Sequence, residues 1–421
     1  MLDLLLKNVH IPYGLHEGRI VDISVADGIV AHAGAGGKAD ETIDCSGLLV
    51  LPGAVDMHVH MRGGSRESRK EDWRTGSRAA LAGGVTLVVD QPNTVPPLTT
   101  TEAFLARVRE AQRDSLCHFA VNAGAVPGAP LRDLRKRGAM AFGEIFLAPS
   151  TGSPGISPEE LSVLLADIQS LGALATIHAE EANGQPDVDL ISHGMNRSPE
   201  GEIRAIHTVK GVAPQGMHLH LCHLSTAGAV EASVPHSSEV TPHHLLLSSK
   251  DFPTEDPRGK VNPPLRGSAE RERLFAAWDR VTVLASDHAP HTREEKGAEF
   301  SRAPAGMPGV ETMIPLFIPK VLSGEITLAS LVAKTSENPS RILGIPGTGF
   351  TAGQRADFAL FPRETTTIHA RDLNSRCGWT PFEGREAGFP SCVLIGGEVV
   401  YQDGDFTRGN PRWFPGRGYI P

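Results

Sequence analysis

Cysteine is scarce in this chain and follows no pattern. Its five cysteines, Cys45, Cys117, Cys222, Cys377 and Cys392, are odd in number, widely scattered and free of any C-x-x-C pair. That argues against a disulfide framework and against a cysteine zinc site, and for buried free thiols in a reducing compartment. A basic block is missing too, and the formal net charge is −9, so nucleic acid is not an expected partner. No long apolar run opens the chain. Met1-Leu2-Asp3-Leu4-Leu5-Leu6-Lys7 is too short and too charged for a signal peptide or a membrane span, and a cytoplasmic protein is expected. There is no internal repeat or low-complexity tract. The stretch Gly34-Ala35-Gly36-Gly37-Lys38 lacks the spacing and the following Ser/Thr of a phosphate-binding loop, and reads as a turn between strands.

What the chain does have is histidine at strand ends. Asp56-Met57-His58-Val59-His60-Met61-Arg62 follows the apolar run Leu48-Leu49-Val50-Leu51-Pro52-Gly53. In a strand, side chains at i and i+2 share a face, so His58 and His60 point the same way, as two imidazoles must to chelate one metal ion. A second segment, Ala285-Ser286-Asp287-His288-Ala289-Pro290-His291, follows Val281-Thr282-Val283-Leu284 and supplies a carboxylate at a strand end. Together they suggest His, His and Asp around zinc in a metallohydrolase. The blander readings are a histidine pair on a half-exposed strand and an Asp287 that caps a helix.

With 421 residues the chain can bury a large core, which favours one big domain plus a smaller one. Eight short apolar runs end in polar residues: 51–58, 85–90, 118–122, 139–146, 173–178, 217–223, 239–244 and 281–287. Helix-like stretches lie between several of them, at 102–113, 158–171 and 269–280. This alternation predicts an α/β protein, a parallel (β/α)₈ barrel of the TIM type over residues 52–345. Both flanks, 1–51 and 346–421, read as short strands separated by turns and would build one small β-sandwich domain. In such a barrel catalytic groups sit at the C-terminal strand ends, where His58, Asn93, Glu144, His178, His223 and Asp287 all fall. Strand parity places His223 with Leu219 and Leu221 on an inward face, leaving His218 and His220 as packing histidines. His243 and His244 are adjacent, and neither is assigned to metal.

These segments resemble the dihydroorotases of the cyclic amidohydrolase superfamily, over residues 4 to 402. The two signatures above, the second with Lys296, are joined in family order by Pro92-Asn93-Thr94, His178-Ala179-Glu180, His223-Leu224-Ser225, Thr241-Pro242-His243-His244-Leu245 and Asn262-Pro263-Pro264-Leu265-Arg266. The resemblance implies that His58, His60 and Asp287 hold a first Zn²⁺ and His178 and His223 a second. It implies reversible hydrolysis of dihydroorotate to N-carbamoyl-aspartate in pyrimidine biosynthesis by a metal-activated hydroxide, with Asp287 as general base and acid. Arg62, Asn93 and His291 match carboxylate-binding positions, Asn262 a residue that touches the ring, and the backbone of Ala305-Gly306-Met307-Pro308-Gly309-Val310 could pair with it. The bland readings are a surface ion pair for Arg62 and turns for the asparagines.

One departure stands out. Many relatives carry a carboxylated lysine on the fourth strand as a metal bridge, and no lysine stands there; Lys136 belongs to the preceding helix-like stretch. Glu144 occupies that position, with an inward parity shared with Met140 and Phe142. It preserves the bridging charge but is shorter, so a single-metal site is the alternative to two, and an ion-pair partner for a core arginine is the structural one. An allantoinase or a hydantoinase/dihydropyrimidinase would share the metal ligands, and an inactive assembly subunit associated with an aspartate carbamoyltransferase is a reading of another class. A homo-oligomer is a further open expectation.

Overall fold

The computed structural model describes residues 2–12, 17–34, 36–150 and 154–421; Ala35, in the expected glycine-rich turn, lies outside them. The fold is α/β. Eight strands carry the site: β1 (Ala54–Val59), β2 (Val85–Asp90), β3 (His118–Val121), β4 (Phe142–Phe146), β5 (Ala175–His178), β6 (Leu219–Leu221), β7 (Ser237–Val240) and β8 (Val283–Leu284). All pair in parallel, β1 to β3 as one sheet and β4 to β8 as another. Single parallel bridges span the two gaps, Ala123 to Phe142 and Val59 to His288. The hydrogen bonds thus draw two ladders joined at points, not the uninterrupted ring of eight predicted from the strand count.

Every residue of these strands is buried, as parallel strands covered on both faces must be. Val55, Met57, Leu87, Val89, Ala120, Met140, Val283 and Ala285 form one apolar cluster among the strands. Their alternates, such as Val88, Leu219 and Leu221, pack with the helices instead. The helix Pro158–Ser170 shows why such elements form. Ser157 caps it in a reciprocal box with Glu160, Pro158 takes the first turn, and Leu161, Leu164, Leu165 and Ile168 recur on one buried face. Each of those side chains contributes roughly 1.5–3 kcal/mol by leaving water.

Two of the expected strands have other boundaries. The run 51–58 divides at Pro52-Gly53: Leu49–Pro52 pairs with Phe358–Phe361 in a different sheet, and β1 begins at Ala54. A Cβ on Gly53 would strike the Thr86 side chain, so only glycine lets the chain pass between the layers there. The run 239–244 ends at Val240, because Thr241 caps and Pro242 opens a short helix, Pro242–Leu246, that carries His243 and His244.

The flanks form two larger sheets and a two-stranded ladder of Thr366–Thr367 with Glu386–Ala387. Leu2–His10, Ile20–Ala26, Ile29–Gly34 and Ala39–Asp44 make one; Leu49–Pro52, Phe358–Phe361, Cys392–Ile395, Glu398–Gln402 and Asp405–Phe406 make the other. They share a core that includes Leu4, Leu6, Ile23, Val25, Val50, Phe358, Leu360 and Leu394. The last residues leave these sheets and return to the central strands. Arg412 O accepts from Phe119 N at 3.1 Å, Phe414 N donates to Phe119 O at 2.8 Å, and Ile420 N donates to Lys136 O at 2.9 Å. Among the described residues no helix is long and apolar enough to cross a membrane.

Candidate metal centre and active site

The C-terminal ends of the strands open into a cleft lined by His60, Arg62, Asn93, Glu144, His178, His223, Asn262 and Asp287, with Phe146, Ser150, Ala305 and Gly306. Its floor is a convergence of imidazoles and carboxylates. His58, His60 and Asp287 form one set whose ligand atoms lie within 4.8 Å of one another, and His58, Glu144 and His223 form a second. Asp287 Oδ1 is 3.2 Å from His60 Nε2 and 3.5 Å from His58 Nε2. Glu144 Oε1 is 2.6 Å from His223 Nε2 and 2.9 Å from His178 Nδ1, and Oε2 is 3.4 Å from His58 Nε2. The glutamate in the lysine's place therefore meets three of the four histidines.

The far nitrogens of three of them are anchored, while His223 Nδ1 is buried without a hydrogen-bond partner. His58 Nδ1 lies 2.6 Å from Glu239, His60 Nδ1 lies 2.8 Å from Asn93 Oδ1, and His178 Nε2 lies 2.9 Å from Glu180. Metal-binding histidines are held in this way, with one nitrogen on an acceptor and the other turned to the ion. His58 Nε2 is buried and has no hydrogen-bond partner. The charge pattern agrees. Burial alone would lower the His58 and His178 imidazoles, yet Glu239 and Glu144 raise the first well above its usual value, and Glu144 and Glu180 raise the second to about 9. Burial would raise Asp287 and Glu144, but the surrounding histidines hold both carboxyls well below the ordinary range. A site this anionic draws protons in place of a cation, so the donor set fits a divalent metal ion. A third set, His58, Cys222 and Glu239, lies behind the floor. Burial pushes the Cys222 thiol far up.

The route by which His223 and Glu144 reach the floor differs from the expected parity. Leu219 and Leu221 face the helices, and His220 points among the strands to Glu239; His223 arrives past the end of β6 through a turn at φ +34°. Met140, just before β4, lies among the strands but Phe142, the first residue of β4, packs with the helices, so the two do not share a face. Between them and Glu144 the pairing with β5 slips: Ala175 faces Phe142 while Ile177 faces Ile145. This bulge re-aims Glu144. Gly143 sits in it at φ +131°, where a Cβ would collide with Thr176. A similar slip in β1, between Asp56 and Val59, spans His58 and precedes His60.

Of the residues expected at the substrate, Arg62 and Asn93 stand on the cleft wall. Arg62 Nε donates to Pro290 O at 3.2 Å. Asn262 is there too, donating to Ser150 Oγ at 3.0 Å, with its Oδ1 buried and unpartnered. His291 is not on the wall. It lies behind Arg62, its Nε2 3.4 Å from the guanidinium and 3.1 Å from Ala305 O, and burial drops its imidazole to about 3.

The profile of the Amidohydrolase family matches residues 49–400. The chain belongs to the amidohydrolase family. Among its relatives, a dihydroorotase of Methanosarcina acetivorans is 38% identical over 99% of this chain and 95% of its own, and one of Halobacterium salinarum is 39% identical over 93% and 95%. Solved structures share the fold. The L-hydantoinase (dihydropyrimidinase) from Arthrobacter aurescens superposes with a TM-score of 0.89 at 27% identity, covering 97% of this chain and 98% of that one. The dihydropyrimidinase from Brevibacillus agri reaches 0.86 at 23% identity with 100% of each covered, a likeness that concerns fold alone.

Sequence reasoning about this amidohydrolase missed Glu239 and Glu180 as anchors of site histidines, and Phe146 and Ser150 as wall residues. A carboxylate in the middle of a wholly buried strand was the available signal for Glu239. For Glu180 it was the two-residue step from His178.

Proposed function

We infer that this amidohydrolase is a dihydroorotase, opening the cyclic amide of dihydroorotate to N-carbamoyl-aspartate and closing it again, and that its eight strands and covering helices act as a (β/α)₈ barrel with a two-sheet sandwich beside it. The carrying observation is the convergence of His58, His60, Glu144, His178, His223 and Asp287 beneath a cleft that presents one arginine, Arg62. Near-full-length relatives named dihydroorotase support this substrate over a hydantoin. The donor set suits Zn²⁺: His58, His60 and Asp287 would hold one ion, and Glu144, His178 and His223 would hold a second. When bound, such an ion brings the pKa of water to about 7 and polarises an amide carbonyl.

The chain's own residues do the rest. Asp287 takes a proton from the attacking water and passes it to the ring nitrogen as the C–N bond breaks; in reverse it returns that proton so that water leaves. Arg62 is a planar cation for the ring carboxylate, with Asn93 beside it. His291 stands behind Arg62, its Nε2 3.4 Å from the guanidinium. Ser150, Asn262 and the Ala305-Gly306 backbone offer neutral partners to the ring amides. The intact ligand set speaks against a silent assembly subunit. Soluble cytoplasmic location, self-association and contact with an aspartate carbamoyltransferase remain in keeping with this reading.

The test is an assay on dihydroorotate before and after chelation. Activity is expected to vanish with the metal and return with Zn²⁺. Full activity in metal-free protein, or preference for uncharged dihydrouracil or hydantoin, overturns the assignment.

A further inference from the structure

Glu239 is a wholly buried carboxylate on which three groups of the site converge. Its Oε1 lies 2.6 Å from His58 Nδ1 and accepts the backbone N–H of His223 at 3.2 Å; its Oε2 lies 2.9 Å from His220 Nε2. Those three groups come from β1, from the turn after β6, and from β6 itself. Each contact constrains something different.

An anion against His58 Nδ1 keeps the proton on that nitrogen. Nε2, buried without any other hydrogen-bond partner, then turns its lone pair toward Glu144 and Asp287. The bond from His223 N acts on the backbone. His223 sits at φ +34°, a conformation L-residues hold only when their surroundings insist. Releasing its N–H lets the turn relax and swings the imidazole from Glu144. His220 holds the carboxylate in turn, its other nitrogen 3.1 Å from Ser237 Oγ.

We propose that Glu239 is a positioning residue that presets both metal subsites at once, fixing the tautomer of His58 and the aim of His223 through one side chain. This rests on the reading of the site as a metal centre. Removing one outer partner of a metal-bound histidine typically weakens binding 10–100-fold, and Glu239 serves two histidines.

The experiment titrates Co²⁺ into metal-free wild type, Glu239→Gln and His220→Gln, following the visible Co²⁺ spectrum, chelator competition and the rise in Tm on loading. Glu239→Gln is expected to raise the apparent Kd by about 10²-fold, alter the Co²⁺ bands and shrink the metal-induced rise in Tm. His220→Gln, which leaves the carboxylate in place but frees it, is expected to raise Kd by about 3–10-fold. A purely structural role would lower Tm in loaded and metal-free protein alike while leaving the bands unchanged, and that outcome overturns the proposal. So does wild-type affinity in Glu239→Gln. Should that variant not fold, unchanged affinity in His220→Gln overturns it. A wild type that binds no Co²⁺ removes the metal-centre reading itself, and this inference with it.

Discussion

Arg62, His223 and Asp287 all have positive φ, at 46°, 34° and 43°, although none is glycine. Such conformations cost of order 1–3 kcal/mol each and persist where packing over-determines them, commonly at functional sites. Arg62 is the one most open to a direct test. Arg62→Met is expected to leave metal content unchanged while lowering kcat/KM for dihydroorotate by at least ~10²-fold, since a charge-assisted bidentate contact is worth roughly 3 kcal/mol. Uncharged ring substrates should scarcely notice the change; an equal loss on both kinds sinks the carboxylate role. Lys296 offers a pH test. Burial, first, and the neighbouring Lys260 lower its ammonium to about 7, and it donates to Lys260 O and Pro304 O at 3.0 and 2.9 Å. The unfolded chain holds that proton up to about 10.5, so between these values it binds the extra proton and folding gains stability as pH rises. Against Lys296→Met, wild type should gain about 2–3 kcal/mol from pH 7 to 9 in denaturant unfolding. A pH-independent difference shows the lysine stays charged.

The two strand slips explain what could and could not be read from the sequence. The eight apolar runs and the helices at 101–114 and 158–170 were legible because burial and capping are local signals. His58, His60 and Asp287 were legible as a group because short spacings at strand ends survive a slip. Parity did not survive: an extra residue in β4 undoes the two-residue period, so the face of Glu144 could not be counted from Phe142. The same bulge gives two predictions. Glu144→Ala should bind less metal and lose most activity, while wild-type activity should ignore added bicarbonate because no lysine awaits CO₂. Retention of full metal content with near-normal turnover counts against the bridging carboxylate. Gly143→Val should cost at least ~2 kcal/mol and reduce metal content, because the site forbids both the side chain and its φ. Gly211→Ala, in the helix Pro199–Val212 with open space around it, should instead gain about 0.5–1 kcal/mol. Equal Tm changes in the two variants would remove the argument from the bulge.

At the scale of the molecule, distant parts of the chain meet to close the structure. Leu49–Pro52, which leads directly into β1 and its histidines, is paired by Phe358–Phe361, and residues 412–420 bind β3 and the segment that joins β3 to β4. How these boundaries arise was only partly legible, because an apolar run does not say which distant run it will pair with. Synthesis proceeds in one direction, however. Roughly 300 residues must follow Pro52 before its partner strand exists, which at about 5–20 residues per second is some 15–60 s of translation. During that interval the ligand-bearing β1 is tethered to a strand whose ladder partner has not been made. Nascent chains halted at residue 345 should thus remain open to proteases across residues 2–52, and the released full chain should become resistant there. The order of manufacture places the last move of folding at the terminal sheets, long after every histidine and carboxylate of the metal centre has left the ribosome.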